Sequence, residues 1–237
     1  VQEDDISMND LYLDLENIAR AQQNIGKRTT VYGQVTDIAT NGCTVVLFTP
    51  ISSKNGLVFV ELPADILAEL NCGQFVVISA IVTDVSKTLI TPYFLKADAL
   101  GDISTMDAFI RDSITACLEA NDDTAFVAYE KVTNTFRISL LEDYFNTYGD
   151  TFLISDDTEL KNYLVGEGEW AWLMSDLYRF SCEFREDGTY LWRSDREQIG
   201  DWNVSQGKLE SFATHAYYNA YVISDRVFFW NGYLFVK

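Results

Sequence analysis

The chain has 237 residues, a formal charge of −19 at pH 7, and 48% hydrophobic against 22% charged residues. That length is generous for one core and comfortable for two, and the composition is globular, not disordered. Residues 1–100 hold six Lys/Arg against twelve Asp/Glu, and the rest holds eleven against twenty-four, so neither half offers a phosphate backbone or an anionic membrane a basic field.

No apolar run approaches the roughly 20 residues of a membrane span, and no signal-peptide pattern is read among these residues. The acidic lead-in Val1-Gln2-Glu3-Asp4-Asp5 suits a chain exported and held by a lipid anchor outside this sequence. The expected place is therefore extracytoplasmic, as a membrane-anchored lipoprotein. Cys43, Cys72, Cys117 and Cys182 form no CxxC pair, and His215 is the single histidine. Cys/His zinc sites, and a Ser-His-Asp triad that does not use His215, are nearly excluded by that inventory. Buried thiols are expected in place of disulfides, with Cys43 and Cys72 unbonded.

Ser7-Met8-Asn9-Asp10 is a variant capping box. Leu11, Leu15, Ile18 and Ala19 follow at helical spacing and Gly26 supplies a stop, which predicts a helix over 8–24. Strand-like runs come next at 29–38, 43–49, 57–62, 75–82 and 88–96. Asn41-Gly42 joins the first pair as a tight turn. Gly33 lies inside the first strand, where a barrel needs a sharp coil or a bulge. Pro63 opens a short helix over 64–70. Five strands with one helix between the third and fourth is the order of an oligonucleotide/oligosaccharide-binding (OB) barrel.

Asn24-Ile25-Gly26-Lys27, Val31-Tyr32-Gly33-Gln34-Val35 and Leu70-Asn71-Cys72-Gly73-Gln74-Phe75-Val76-Val77 resemble the tRNA-anticodon-binding-like OB-fold proteins, many of which are bacterial envelope lipoproteins. The resemblance covers about residues 8–98. It implies the fold and the compartment and is nearly silent on activity.

Met106, Phe109, Ile110, Ile114, Cys117 and Leu118 share one face and predict a helix over 104–120. Residues 126–140 predict a hairpin about Thr133-Asn134, and Asp156-Asp157-Thr158-Glu159 cap a short helix ending near Leu164. From Gly168 the chain becomes a meander of short strands. Its first hairpin turns on Asp187-Gly188, expected as type I′, and further strands lie at 200–202, 208–210, 217–223, 227–230 and 233–236. With Gly168-Glu169-Trp170 at its start and Gly200-Asp201-Trp202 later, this region is similar to small lipocalin-like domains. About seventy residues are few for the eight strands of a full barrel. A short barrel or open meander packed by the 104–120 helix is expected. The fold class is thus mainly β (α+β): an OB-type barrel with a leading helix over 1–100, then over 101–237 a helix/hairpin segment and a C-terminal antiparallel β-meander.

A nucleic-acid face needs cations beside stacking aromatics. The second and third strands contain none, and Lys27, Arg28 and Lys54 are the nearby cations. The carboxylate pairs Asp122-Asp123, Asp156-Asp157, Glu167/Glu169 and Glu186-Asp187 lie in turns or caps. Such placement rarely sets two carboxyls about 5–9 Å apart across a cleft. Asp122-Asp123 lacks the spacing of a calcium loop, and His215 has no ordering acid in view. Residues 164–237 hold five Trp, six Tyr and six Phe, more than one buried face of a small sheet requires. Tyr190 and Trp192 share one side of a strand, and Tyr217 and Tyr221 one side of a later strand. These four are the candidate ligand-binding residues; no catalytic residue, metal or cofactor is nominated. The expected function is a non-enzymatic exported binding or interaction protein of a bacterial envelope, its partner a carbohydrate, a peptide or an envelope protein. A carboxylate-dependent hydrolase and an OB nucleic-acid binder are the alternatives, the latter disfavoured by charge.

Overall fold

Ser7 Oγ accepts the Asp10 N–H at 3.0 Å and starts α1 (Met8–Asp14). The continuous helix expected over 8–24 is interrupted, because Asn17 caps a second helix, α2 (Ile18–Gln22), by accepting the Ala19 N–H. Asparagine favours caps over helix interiors, so the chain restarts there. The computed structural model describes residues 5–48, 56–86, 90–118, 124–166, 168–175 and 178–237. Val1–Phe109 with Thr135–Leu140 form one compact unit, and Ile110–Asn134 with Leu141–Lys237 the other.

In the first unit, β1 (Arg28–Ala39), β2 (Gly42–Leu47), β3 (Leu57–Glu61), α3 (Ala64–Glu69), β4 (Phe75–Val85) and β5 (Tyr93–Lys96) follow in chain order. The strands close in the order β1-β2-β3-β5-β4, with β3 and β5 parallel. This order, with a helix between β3 and β4, is compatible with an OB-type barrel. Its inward positions are small and branched: Val31, Val35, Val45, Val58, Val60, Ile78, Val82 and Leu95 are all buried. Leu11 and Leu15 pack on the same core, and the Tyr93 hydroxyl donates to the Leu11 carbonyl.

Gly33 serves this barrel by close approach. A Cβ there would lie 2.1 Å from the Val46 carbonyl oxygen, while the β1–β2 irregularity falls later, between Val35 and Asp37. The first turn is displaced by one residue from its expected position. Ala39 pairs with Gly42 across Thr40 and Asn41, neither of which has positive φ. Gly42 opens β2 because the Val60 carbonyl leaves no space for a side chain. Tyr32 stacks on Phe109 at 4.0 Å, and Phe136 packs on Phe48 and Phe109.

Helix α4 (Thr105–Cys117) presents Met106, Ile110 and Ile114 at buried positions. The hairpin expected over 126–140 is instead α5 (Ala125–Thr135) followed by a 3-10 turn, Ile138–Leu140. Ala128, Tyr129 and Val132 are buried at i, i+1 and i+4, which is helical spacing; packing outweighed the strand preference of the branched and aromatic residues. Helices α6 (Leu141–Tyr148) and α7 (Asp157–Val165) follow, the latter capped by Asp156 as expected. Among the described residues no helix is long and apolar enough to cross a membrane.

The remainder is a closed antiparallel barrel of eight short strands. These are β6 (Trp170–Ser175), β7 (Tyr178–Phe184), β8 (Thr189–Arg193), β9 (Glu197–Ser205), β10 (Lys208–Ser211), β11 (Tyr218–Ser224), β12 (Val227–Trp230) and β13 (Tyr233–Val236). The pairing of Val236 with Ala171 completes the ring. The brevity of the region is met by tight turns. Gln206-Gly207 and Asn231-Gly232 each place both residues at positive φ, the type I′ geometry that matches strand twist. At Asp187-Gly188 that type does not form. Gly188 alone has positive φ, its N–H closes onto the Arg185 carbonyl, and Asp187 accepts the Thr189 N–H.

Candidate functional site: one end of the second barrel

The inward residues of the second barrel are mostly rings. Toward one end they pack edge to face or stacked: Trp170 on Phe228 at 4.7 Å, Phe228 on Phe235 at 4.7 Å, and Phe184 on Trp202 at 5.2 Å. Toward the end that carries the β10–β11 loop and the β12–β13 turn the filling stops. There Trp172, Tyr190, Trp192, Ser211, Trp230, Tyr233 and Phe235, with loop residues 212–215 and Asn231, line a cavity of about 490 Å³. That is within the range of about 300–1,000 Å³ usual for small-molecule pockets. An eight-stranded barrel is wide enough to hold either side chains or one small ligand.

Phe212 forms one wall. Its ring occupies the place where a side chain at residue 200 would stand, since a Cβ on Gly200 would lie 2.1 Å from it. The loop behind it is a small hydrogen-bonded turn: Thr214 Oγ1 accepts the Ser211 N–H, and the His215 N–H, at positive φ, donates to the Ser211 carbonyl. Below, Tyr190 and Cys182 meet. Burial, then the neighbouring Cys182, holds the Tyr190 hydroxyl well above its ordinary range, and burial pushes the Cys182 thiol up to about 12. Both are neutral at physiological pH. Among the described residues, the cavity lining includes no lysine, arginine, aspartate or glutamate.

The tryptophans of this barrel differ in what their indole N–H groups meet. Trp170, Trp202 and Trp230 each donate the indole N–H to a carbonyl, of Leu164, Arg185 and Leu209. Trp172 Nε1, Trp192 Nε1 and Ser211 Oγ are shut from solvent without a protein partner. All three belong to residues that line the cavity. A buried donor left unmatched costs about 1–3 kcal/mol, so three at one place is a concentrated debt in stability.

The four nominated residues do not form one patch. Tyr190 and Trp192, alternate residues of β8, both line the cavity. Tyr217 stands just before β11, 41% exposed, its hydroxyl accepting from Asn203. Tyr221 is on the outside of β11, buried beneath Phe145 of α6, the rings stacked at 4.7 Å. The cover over this outer face thus includes α6, besides the expected 104–120 helix, whose Arg111 donates to the Val222 and Ile223 carbonyls. Sequence reasoning missed Trp172, Ser211 and Phe212, and weighed His215 only as a catalytic residue. The alternation Trp170-Ala171-Trp172 was the available signal for a strand with an aromatic inner face; the loop residues carried none.

The other candidate chemistries find structural roles. Asp156 caps α7, and Asp157 accepts the Gln206 and Gly207 N–H groups of the β9–β10 turn. Asp122-Asp123, Glu167 and Lys54 lie outside the described residues. Among the described residues no cluster of three His, Cys, Asp or Glu could hold a metal. Ser211 Oγ makes no hydrogen bond, so His215 does not activate it here. Arg193 lies among Glu169, Glu183 and Glu197 in a surface ladder. On the first barrel Lys96 pairs with Glu61 at 3.1 Å, and β2 and β3 carry no cation. A cleft of about 820 Å³ beside α1 and β1 is larger, but its Ser7 and Asp10 satisfy each other. No family model, curated protein or solved structure matches the chain. The site therefore stands on its own geometry.

Proposed function

We propose that the chain is a non-enzymatic binding protein of a bacterial cell envelope, and that its second barrel takes a small, largely apolar ligand into the cavity beside Trp172 and Trp192. The observation that carries this reading is the cavity of about 490 Å³ walled by the rings of Trp172, Tyr190, Trp192, Phe212, Trp230 and Tyr233. Rings provide apolar contact area at little conformational cost, and a few placed polar groups orient a guest. The lack of lysine, arginine, aspartate and glutamate in the lining, set against a net charge of −19, favours an uncharged guest. The envelope placement is supported by the resemblance of residues 8–98 to OB-fold lipoproteins.

Equilibrium dialysis against naphthalene tests the pocket. One equivalent should be retained by the full chain and lost in Ala213→Trp, a substitution at an exposed residue of the lining whose ring would fill the cavity. Equal retention by both proteins, or none by either, removes this reading. Palmitate labelling of the full-length gene product tests the anchor: no incorporation removes the lipoprotein assignment.

A further inference from the structure

Resting on that reading, we infer that Phe212 is the specificity-determining residue of the second barrel: seated on Gly200, its ring sets the size of guest that the cavity takes. The inference comes from a break in strand alternation. Tyr190 pairs with Gly200, and Trp202 pairs with Ser211. Gly200, Trp202 and Ser211 therefore lie on the inner face with Tyr190. The Phe212 N–H extends this ladder by one step, donating to the Asp201 carbonyl at 2.9 Å. Alternation would send the Phe212 side chain outward beside Asp201. Its ring turns inward instead, with its centroid 5.8 Å from that of Tyr190 and 6.4 Å from that of Trp192, and it lines the cavity.

The missing side chain at residue 200 makes that turn possible. A Cβ there would lie 2.1, 2.2 and 2.7 Å from Phe212 Cδ1, Cγ and Cβ. Any larger residue would thus drive the ring off the wall and further into the cavity. Phe212 is also the wall that can be changed at least cost to the fold. Trp172, Tyr190, Trp230 and Phe235 are buried on strands, while Phe212 is half-buried in a loop beside exposed Ala213. The β10–β11 ladder has two pairs, Lys208 with Asn219 and Leu209 with Tyr218, and ends before that loop. At the filled end of the barrel Trp170, Phe184 and Phe228 pack without it.

Two neutral hydrocarbons, naphthalene and the larger pyrene, test the assignment. Equilibrium dialysis against the full chain gives the ratio of their affinities, pyrene over naphthalene. The ratio is measured in the wild type, Phe212→Ala, Gly200→Ala and the double variant, and circular dichroism establishes that each is folded. One methylene of misfit in an apolar pocket changes discrimination by about 10-fold or more, and a ring exceeds a methylene. Phe212→Ala should therefore raise the ratio at least about 10-fold. Gly200→Ala should lower it by a similar factor. In the Phe212→Ala background the same change should leave the ratio within about twofold, because it acts only through the ring that it displaces. Phe212→Ala decides by itself if Gly200→Ala does not fold. A ratio in Phe212→Ala within about twofold of the wild type overturns the inference and leaves the pocket. Gly200→Ala acting equally with and without the Phe212 ring overturns it too. Retention of neither hydrocarbon by the wild type removes the pocket and the inference with it.

Discussion

The first barrel closes five strands around valines, isoleucine and leucine, and the second closes eight around tryptophan, tyrosine and phenylalanine. Branched aliphatic side chains are small and interlock, so the narrow barrel fills to its axis. Rings are larger and flat. They fill one end of the wider barrel by stacking and leave the other open. The difference lies in the fit of side-chain shape to barrel radius, since both interiors are built from alternate residues of short strands.

The comparison meets its hardest test at a glycine. Gly33→Val places a branched side chain against the Val46 carbonyl, deep in the filled barrel. We expect a loss above about 4 kcal/mol, the range of severe core disruption, seen as failure to fold or a much lower melting temperature. Gly56→Val acts at positive φ before β3 and should cost about 1–3 kcal/mol. Equal losses would break the account of close packing in the first barrel.

The second barrel is sharpened by its tryptophans. Trp170→Phe and Trp202→Phe strip an indole donor from a carbonyl and should cost about 1–3 kcal/mol more, in urea denaturation, than Trp172→Phe and Trp192→Phe. In the latter pair the substitution removes a donor that had no protein partner. If all four lose equally, the two ends of the barrel are not different in kind.

The smallest effect concerns thiols. All four cysteines are free, Cys72 exposed and Cys43 and Cys182 buried. Burial raises the Cys182 thiol from 9.0 to about 12 and the Cys43 thiol to about 11. A raised acid favours the folded state while it stays neutral; that contribution is fully present below pH 9 and is lost as pH climbs toward 12. Melting temperature should fall on the alkaline side, less steeply in Cys182→Ala. Ellman's reagent at pH 8 should modify Cys72 promptly and Cys182 only on unfolding. Prompt modification of Cys182 would mean that the barrel interior beside Tyr190 is open.

The first barrel was readable because its signals are local. Pro63 before α3 and the alternation in 29–38 and 43–47 operate within a few residues, and a one-residue displacement at Asn41 left the strand order intact. The helix at 125–135 was misread for a physical reason: Phe126, Val127, Tyr129, Val132 and Thr133 favour strands singly, and tertiary burial of Ala128, Tyr129 and Val132 decides otherwise. Tyr190 and Trp192 could be paired from the strand period. Their companions could not, because Trp172 lies two strands away across β7 and Ser211 two strands away across β9, and the strand period does not give the curvature that brings them together. Tyr221 shows the same limit: period gives its side of β11, while the arrival of Phe145 from α6 is a long-range event.

All five tryptophans, at positions 170, 172, 192, 202 and 230, lie in the second unit. The first barrel carries tyrosines such as Tyr12, Tyr32 and Tyr93 in their place. The molecule is therefore optically partitioned. Excited at the red edge of its absorption, it emits from the second barrel alone, so melting of the first is dark in that channel while any guest settling against Trp172, Trp192 or Trp230 changes the light directly.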